Sequence, residues 1–511
     1  MHLKKLHPMK NKINIAQGLK SLFVGNFLSK ILGLVREILL SAWFGTGETA
    51  AALRIAQTAY LLPVQALIGD SLSAGLLPLY KKLEGDNNGK HQILIFCAVL
   101  YATLLSLMIM GGLFLFSYSI SSFIAPNSSV SLLLLASNFI KILAIATPFY
   151  IISSTLAFIE TAYGYFSGVS YRPALLNVFS ILGACFAVYF NFDNFLVIFI
   201  LLSHVIFFIL TIFKLHKIGN VIPSGLPSLF LIKEVFSSFF INMLPLLGLP
   251  LIAQINVLFE RIISSKIGDN VIPAVDYARF LCDTTVQLIA IPLGIITMAK
   301  FGGRISSEFE NYIRNSFLVL IFLSIPIGIF SYQYATDIIT IFFGRGKFDA
   351  ESIKITSTAF QWMGLALCFT VVSYFLVKTL NSQLKNKLAL WFTLFAVLVN
   401  ISINIIFWDI LGAAVVGLGV LGYSITLFIF TVYHLQLFKV LFSFFYILII
   451  LILGQIFINE FLKSFIDINI YLNMLIFFVA NLIYFLFLIN FFPKSKEIFS
   501  PIISSLLRKE N

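Results

Sequence analysis

Five basic residues stand inside long apolar stretches: Lys30, Arg36, Arg54, Lys141 and Arg279. A cation buried in a stretch long enough to cross a bilayer costs about 2.5–3.5 kcal/mol on insertion scales, so it faces a partner or a water-filled cavity. The chemistry such groups offer is anion reception, because Arg presents a planar fork to phosphate or carboxylate and Lys a point charge. Acidic and amide residues accompany them: Glu37 follows Arg36, Asp70 is flanked by Gly69 and Ser71, Asp283 lies one turn beyond Arg279, and Asn256, Glu260 and Arg261 fall together. Helical spacing predicts an Arg279–Asp283 ion pair and puts Lys30 and Glu37 on one face, with Arg36 turned away from it. Simpler roles stay open here, among them an ion pair at Glu37, snorkelling of Arg54 to the headgroups and interface packing of Lys141. Asp70, Glu160, Asp276 and Asp283 are the carboxylates placed to carry a proton or coupling ion.

No metal or nucleophile constellation can be assembled. The six His residues lie at the ends of apolar runs or alone, and Cys97, Cys185, Cys282 and Cys368 lie singly within them, as buried packing thiols do. No cofactor is expected, and no separate water-soluble catalytic region exists, so an enzyme is disfavoured.

The elements that must position these residues are membrane helices. With 59% hydrophobic residues, 11% charged and a mean hydropathy of +0.99, the chain departs from soluble composition toward that of a lipid-solvated protein. Apolar blocks of about 20 to 30 residues match the length of helix needed to cross a bilayer, whereas a transmembrane barrel would show short alternating segments. The fold class expected is all-α, a polytopic membrane protein with about fourteen spans. Spans one to six run over 19–44, 50–79, 92–118, 131–164, 173–190 and 195–215; spans seven to twelve over 235–265, 272–300, 315–332, 353–380, 388–408 and 411–435; the last two over 440–462 and 470–492. The stretch 337–348 is too short to span and reads as re-entrant or interfacial.

An even number of spans puts both termini on one side. Most of the 34 Lys and Arg residues collect there, from Lys4, Lys5, Lys10 and Lys12 through Lys81 and Lys82, Arg172, Lys214 and Lys217 to Lys494 and Lys496. The positive-inside rule makes that side the cytoplasm, and this collar accounts for the net charge of +12 without nucleic acid as a partner. Met1 to Lys12 resembles the charged start of a signal peptide, but the apolar run that follows is too long and lacks a cleavage site, so it is expected to remain.

Two stretches look alike: LVREILLSAWFG from Leu34 and VLFERIISSKIG from Val257, aligning Glu37 with Glu260, Ser41 with Ser264 and Gly45 with Gly268. A separation of six spans is what a transporter built from two repeated lobes predicts. Gly25, Gly33, Pro63, Pro245, Gly248, Pro250, Pro292 and Gly294 interrupt spans one, two, seven and eight, as in helices that line a cavity rather than lipid.

Three segments carry a family resemblance: SKILGLVREILLSAWFGTG from Ser29, QINVLFERIISSKIGDNVIPAVDYARFL from Gln254, and GRGKFDAESI from Gly344. With these the chain resembles the MurJ/MviN lipid II flippases of the multidrug/oligosaccharidyl-lipid/polysaccharide exporter superfamily, from about Lys20 to Lys439. The resemblance implies an N-lobe at 19–218, a C-lobe at 219–438, a V-shaped cavity, and two extra helices at 439–493 that form a groove for a polyprenyl tail; 1–18 and 494–511 are then cytoplasmic ends. It implies that an undecaprenyl-pyrophosphate-linked glycan, lipid II, is turned from inner to outer leaflet of the bacterial inner membrane by alternating access. Membrane lipids and the cell-wall synthesis machinery are the partners implied, with a coupling cation or the membrane potential as energy source. By motif position Lys30 stands at the family's first cavity arginine, and Arg36 with Glu37 at its Arg–Asp pair.

The chain also departs from the pattern. The helix-two arginine falls near Val64 or Gln65, the Glu-Gly after it reads Gly69-Asp70, and the acidic residue early in that helix falls at Ala51. In the Tyr-Ala-Asp-Arg run the chain has Tyr277, Ala278, Arg279 and Phe280, so the arginine moves by one residue, with Arg54 and Lys141 as the cations available to compensate. An O-antigen or capsule lipid-linked oligosaccharide is the alternative cargo. A cation-coupled multidrug exporter is the other class, disfavoured because bases outnumber acids in spans one to eight.

Overall fold

The structure, a computed structural model, describes residues 15–67, 79–80, 83, 90–162, 167–218, 229–243, 247–301, 307–465 and 469–493. Helices form all the regular structure among the described residues. In chain order they are α1 (Ile15–Phe44), α2 (Glu48–Leu67), α3 (Lys90–Leu115), α4 (Ser117–Ile124), α5 (Val130–Ala162) and α6 (Ser167–Phe190). Then come α7 (Phe195–Ile218), α8 (Leu229–Met243), α9 (Gly248–Ile267), α10 (Val271–Phe301), α11 (Ser307–Gln333) and α12 (Ala335–Phe343). The last are α13 (Ala350–Ser382), α14 (Asn386–Leu411), α15 (Ala414–His434), α16 (Phe438–Ser443), α17 (Phe445–Phe465) and α18 (Ile470–Phe491).

Among the described residues, ten helices are long and apolar enough to cross a membrane: α3, α5, α6, α7, α11, α13, α14, α15, α17 and α18. The other long helices, α1, α2, α9 and α10, carry most of the charged candidates. The outer surface is apolar as well, with Leu115, Phe213 and Phe457 more than half exposed, as lipid-facing side chains are. The chain is therefore a multi-pass helical membrane protein.

Several expected boundaries move. Expected span seven, 235–265, is covered by α8 up to Met243 and by α9 from Gly248, with Pro245 outside the described residues. Span five was expected to start at Pro173, yet α6 starts at Ser167 and carries that proline within it. The stretch 337–348 forms the nine-residue helix α12 followed by a turn. The short α16 precedes α17 where one span was expected.

The contacts divide the chain into two units. Unit 1 holds 1–40, 56–121 and 133–254; unit 2 holds 41–55, 122–132 and 255–511. The expected lobe boundary at 218/219 falls inside unit 1, which also takes α8, and 439–493 belongs to unit 2. In unit 1, α6 packs on α7 and α3 on α8. In unit 2, α13 is the central helix, with α10, α11, α12 and α15 against it. Gly417 on α15 lets that helix close onto the Ala359 carbonyl of α13, where a Cβ would stand 2.5 Å from the oxygen. Asp349 caps α13 by accepting from the Ser352 backbone N–H at 2.9 Å, and this bond holds its carboxyl below the usual range. A chain of amides ties α17 and α18 to α11: Asn459 Nδ2 donates to Gln333 Oε1 at 2.6 Å, Asn481 Nδ2 to Asn459 Oδ1 at 2.6 Å, and Gln455 Nε2 to the Pro326 carbonyl at 2.8 Å.

Residues 41–55 join unit 2 through the segment after α12. The Lys347 N–H donates to the Ala42 carbonyl at 2.7 Å, and Thr46 Oγ1 lies 2.8 Å from Ser352 Oγ. Gly346 makes the turn at φ +62°, and a Cβ there would run into the Ala42 carbonyl oxygen. Both strain and clash then oppose any side chain. Gly346→Ala is expected to destabilise the chain by about 1–3 kcal/mol, read as a lower thermal midpoint in detergent; an unchanged midpoint would show that the turn is not held in this conformation.

Candidate functional site

Unit 1 contains a cavity of about 340 Å³ with Arg36, Gln65, Tyr60, Tyr150, Arg172 and His204 in its lining. Arg36 projects from α1 and is bound on three sides. Its Nε and Nη2 donate to Glu37 Oε1 at 3.1 and 2.5 Å, and its Nη1 donates to Asn177 Oδ1 at 2.7 Å. Asn177, on α6, is itself fixed because its Nδ2 donates to the Ser29 carbonyl at 2.8 Å. Glu37 is 2% exposed, so its charge requires this neighbour. Helical spacing turned Arg36 away from Glu37, but the guanidinium is long enough to fold back onto the adjacent carboxylate.

The same cavity holds a second guanidinium that the sequence placed in the cytoplasmic collar. Arg172 lies one residue before Pro173, which was read as the helix start, whereas α6 begins five residues earlier and carries Arg172 against the cavity. Its Cζ stands 3.7 Å from the centroid of the Tyr150 ring, and its Nη1 donates to Ser154 Oγ at 2.7 Å. Tyr150 is in turn packed edge-on against His204 at 4.9 Å, and His204 Nε2 lies 2.9 Å from Tyr60 Oη. His204 and Tyr60, buried polar-tipped residues on α7 and α2, were also missed. The available signal was a lone His in the apolar run of α7.

Unit 2 gathers most of the other candidates. Arg261 on α9 makes a two-pronged pair with Asp276 on α10, its Nη2 lying 2.7 and 2.8 Å from the two carboxylate oxygens, and its Nη1 donates to the Ile272 carbonyl at 3.0 Å. Arg54, from α2, reaches the same carboxylate, with Nε 3.4 Å from Oδ2 and its Cζ 5.3 Å from the Tyr277 ring centroid. Arg54 and Arg261 are 7% and 8% exposed, so Arg54 does not reach out to headgroups as the sequence allowed. Tyr277 Oη donates to the Gly45 carbonyl at 3.1 Å.

Arg279 pairs with Glu260 across the two helices, Nη2 to Oε2. Asp283, exposed one turn further along, acts on the same guanidinium through its charge. Glu260 Oε1 also accepts from Asn256 Nδ2 at 3.0 Å and from Asn400 Nδ2 at 2.7 Å, and Asn404 Nδ2 donates to Asn400 Oδ1 at 2.6 Å. Asn400 and Asn404 are the missed members; their spacing of one turn in an otherwise apolar α14 was the readable signal. The sequence repeat has a structural counterpart: Glu37 and Glu260 are both buried and arginine-paired, and Ser41 and Ser264 are both fully buried.

Lys30 is half-buried on α1, and Lys141 is exposed on α5; neither appears in the lining of the unit 1 cavity. Asp70 lies outside the described residues. A second cavity, of about 650 Å³ in unit 2, is almost wholly apolar, with Ile321, Ile325, Leu421, Leu448, Ile452 and Ile456 from α11, α15 and α17 in its wall.

Comparison with known proteins agrees with this architecture. The family described as "Lipid II flippase MurJ" matches over residues 40–492. A "Probable lipid II flippase MurJ" from Thermotoga maritima is 23% identical over 406 residues, covering 77% of this chain and 80% of that protein. A "Lipid II flippase MurJ" from Burkholderia cenocepacia is 22% identical over 433 residues, covering 82% and 84%. Among solved structures, "Lipid II flippase MurJ, inward closed conformation" superimposes with a TM-score of 0.81 at 19% identity, over 94% of this chain and 99% of that one. An inward-facing multidrug resistance MATE transporter of the MOP superfamily follows at 0.66 and 15% identity, over 80% and 95%, a likeness of fold alone. The match over nearly the whole described length settles the relationship: the chain belongs to the lipid II flippase MurJ family.

Proposed function

We propose that the protein moves an undecaprenyl-pyrophosphate-linked glycan, lipid II for peptidoglycan synthesis, from the inner to the outer leaflet of the bacterial cytoplasmic membrane by alternating access, with both termini in the cytoplasm. The observation that carries this reading is the arginine-lined cavity of unit 1, which offers fixed cations to a pyrophosphate in a space also lined by aromatic and amide side chains. Arg36 is a receiving cation of the headgroup; Glu37 and Asn177 hold it in place. The unit 2 pairs of Arg54, Arg261 and Arg279 fix the helices that carry them, so we assign these three a positioning role. The apolar cavity of unit 2 has the chemistry of a polyprenyl tail and needs no polar partner from it. A lipophilic drug cation would meet like charge in the unit 1 cavity, which disfavours the multidrug reading.

The test is complementation in cells depleted of their own lipid II flippase, with an external probe that reports whether the lipid II headgroup has reached the outer face. Restored exposure that is lost in Arg36→Ala supports the assignment. Failure to restore it in cells that insert the protein overturns lipid II as cargo.

A further inference from the structure

We propose that Arg172, stacked on Tyr150 and tied to Ser154, is the principal anion-receiving cation of the unit 1 cavity. The assignment rests on the transport reading above and names the residue that contacts the phosphate groups.

The case begins with how each arginine is neutralised. Arg36 has Glu37, Arg54 and Arg261 share Asp276, and Arg279 has Glu260. Arg172 has no carboxylate partner among the described residues; its partners are a hydroxyl and aromatic faces. A guanidinium has five N–H donors, and the bond to Ser154 uses one nitrogen. The rest of the fork faces a cavity with Gln65 and Arg36 also in its wall. A half-buried guanidinium with no carboxylate beside it keeps its attraction for an arriving anion.

The group is also held in advance of any ligand. Tyr150 presents its ring to the guanidinium from α5, with ring centroids 5.7 Å from Tyr60 and 4.9 Å from His204. The Tyr60–His204 hydrogen bond closes this aromatic box across α2 and α7. Three helices therefore fix the plane of a fourth helix's guanidinium, and a planar fork fixed in orientation suits two-pronged phosphate recognition. In this chain Gln65 leaves α2 without a cation at the cavity, and Arg172 supplies one to the same space. Tyr150 and Ser154 act through Arg172 and are positioning residues.

The probe is tritiated farnesyl pyrophosphate bound to the full chain in phosphatidylcholine nanodiscs. Arg172→Gln is expected to weaken binding about tenfold, the loss for one charge-assisted donor, and Arg172→Lys to recover part of it by keeping the charge without the fork. Tyr150→Leu should weaken the pyrophosphate more than the monophosphate, because it frees the fork rather than removing the charge. Arg345→Gln, at an exposed arginine in the turn after α12 that bonds the carbonyls of Ile341 and Phe342, serves as the unchanged control. Wild-type affinity in a folded Arg172→Gln protein overturns the assignment while leaving the transport reading in place. Loss of the difference between wild type and Arg172→Gln in phosphatidylglycerol discs overturns it too, in favour of a bilayer headgroup. A folded wild type that binds no pyrophosphate lipid overturns the transport reading itself.

Discussion

Asp276→Ala destabilises the folded chain by about 3–5 kcal/mol, because one carboxylate pairs with two buried guanidiniums and its removal takes a counter-charge from both. The two-pronged bond from Arg261 and the longer contact from Arg54 bring α2, α9 and α10 of unit 2 together at a single side chain. Thermal unfolding in detergent checks it, with a midpoint lower by about 5 °C or more. Asp276→Asn, which keeps the shape and one acceptor, should fall between the two. A midpoint unchanged in Asp276→Ala would mean that water or lipid already neutralises these arginines.

The second large effect is on transport. Arg36→Ala is expected to reduce headgroup exposure in the complementation assay to background, while membrane insertion persists. The variant also leaves Glu37 buried without its neighbour, a cost of about 3 kcal/mol that a simple loss of activity would conceal. The double variant Arg36→Ala/Glu37→Ala separates the two effects, since it removes the stranded charge as well. Its stability should return toward wild type while transport stays absent. Transport restored in the double variant would show that Arg36 serves only to neutralise Glu37.

The helices were legible because apolar length is a local property of the chain. The extra turns ahead of Pro173 were less so, because a proline marks a helix start in one setting and sits inside a helix in another. The charged residues were legible as a set and much less as pairs. Arg279 has Asp283 one turn away, yet bonds Glu260 on the neighbouring helix, and Arg54 reaches Asp276 far along the chain. Sequence spacing shows what shares a helix face, whereas these partners are set by which helices pack together. Arg172 was hidden by the proline beside it, and Asn400 by the apolar run around it; both became visible once α6 and α14 were placed.

The salt-bridged cluster of unit 2 has an electrical consequence. Arg54, Arg261 and Arg279 stand against Asp276, Glu260 and Asp283, three positive charges with three negative. Work done by a membrane field on groups displaced together scales with their net charge, about 2.3 kcal/mol per elementary charge for each 100 mV. A body that carries these six groups through part of that field moves as an electrically silent load. A voltage would therefore gain no net purchase on these six groups.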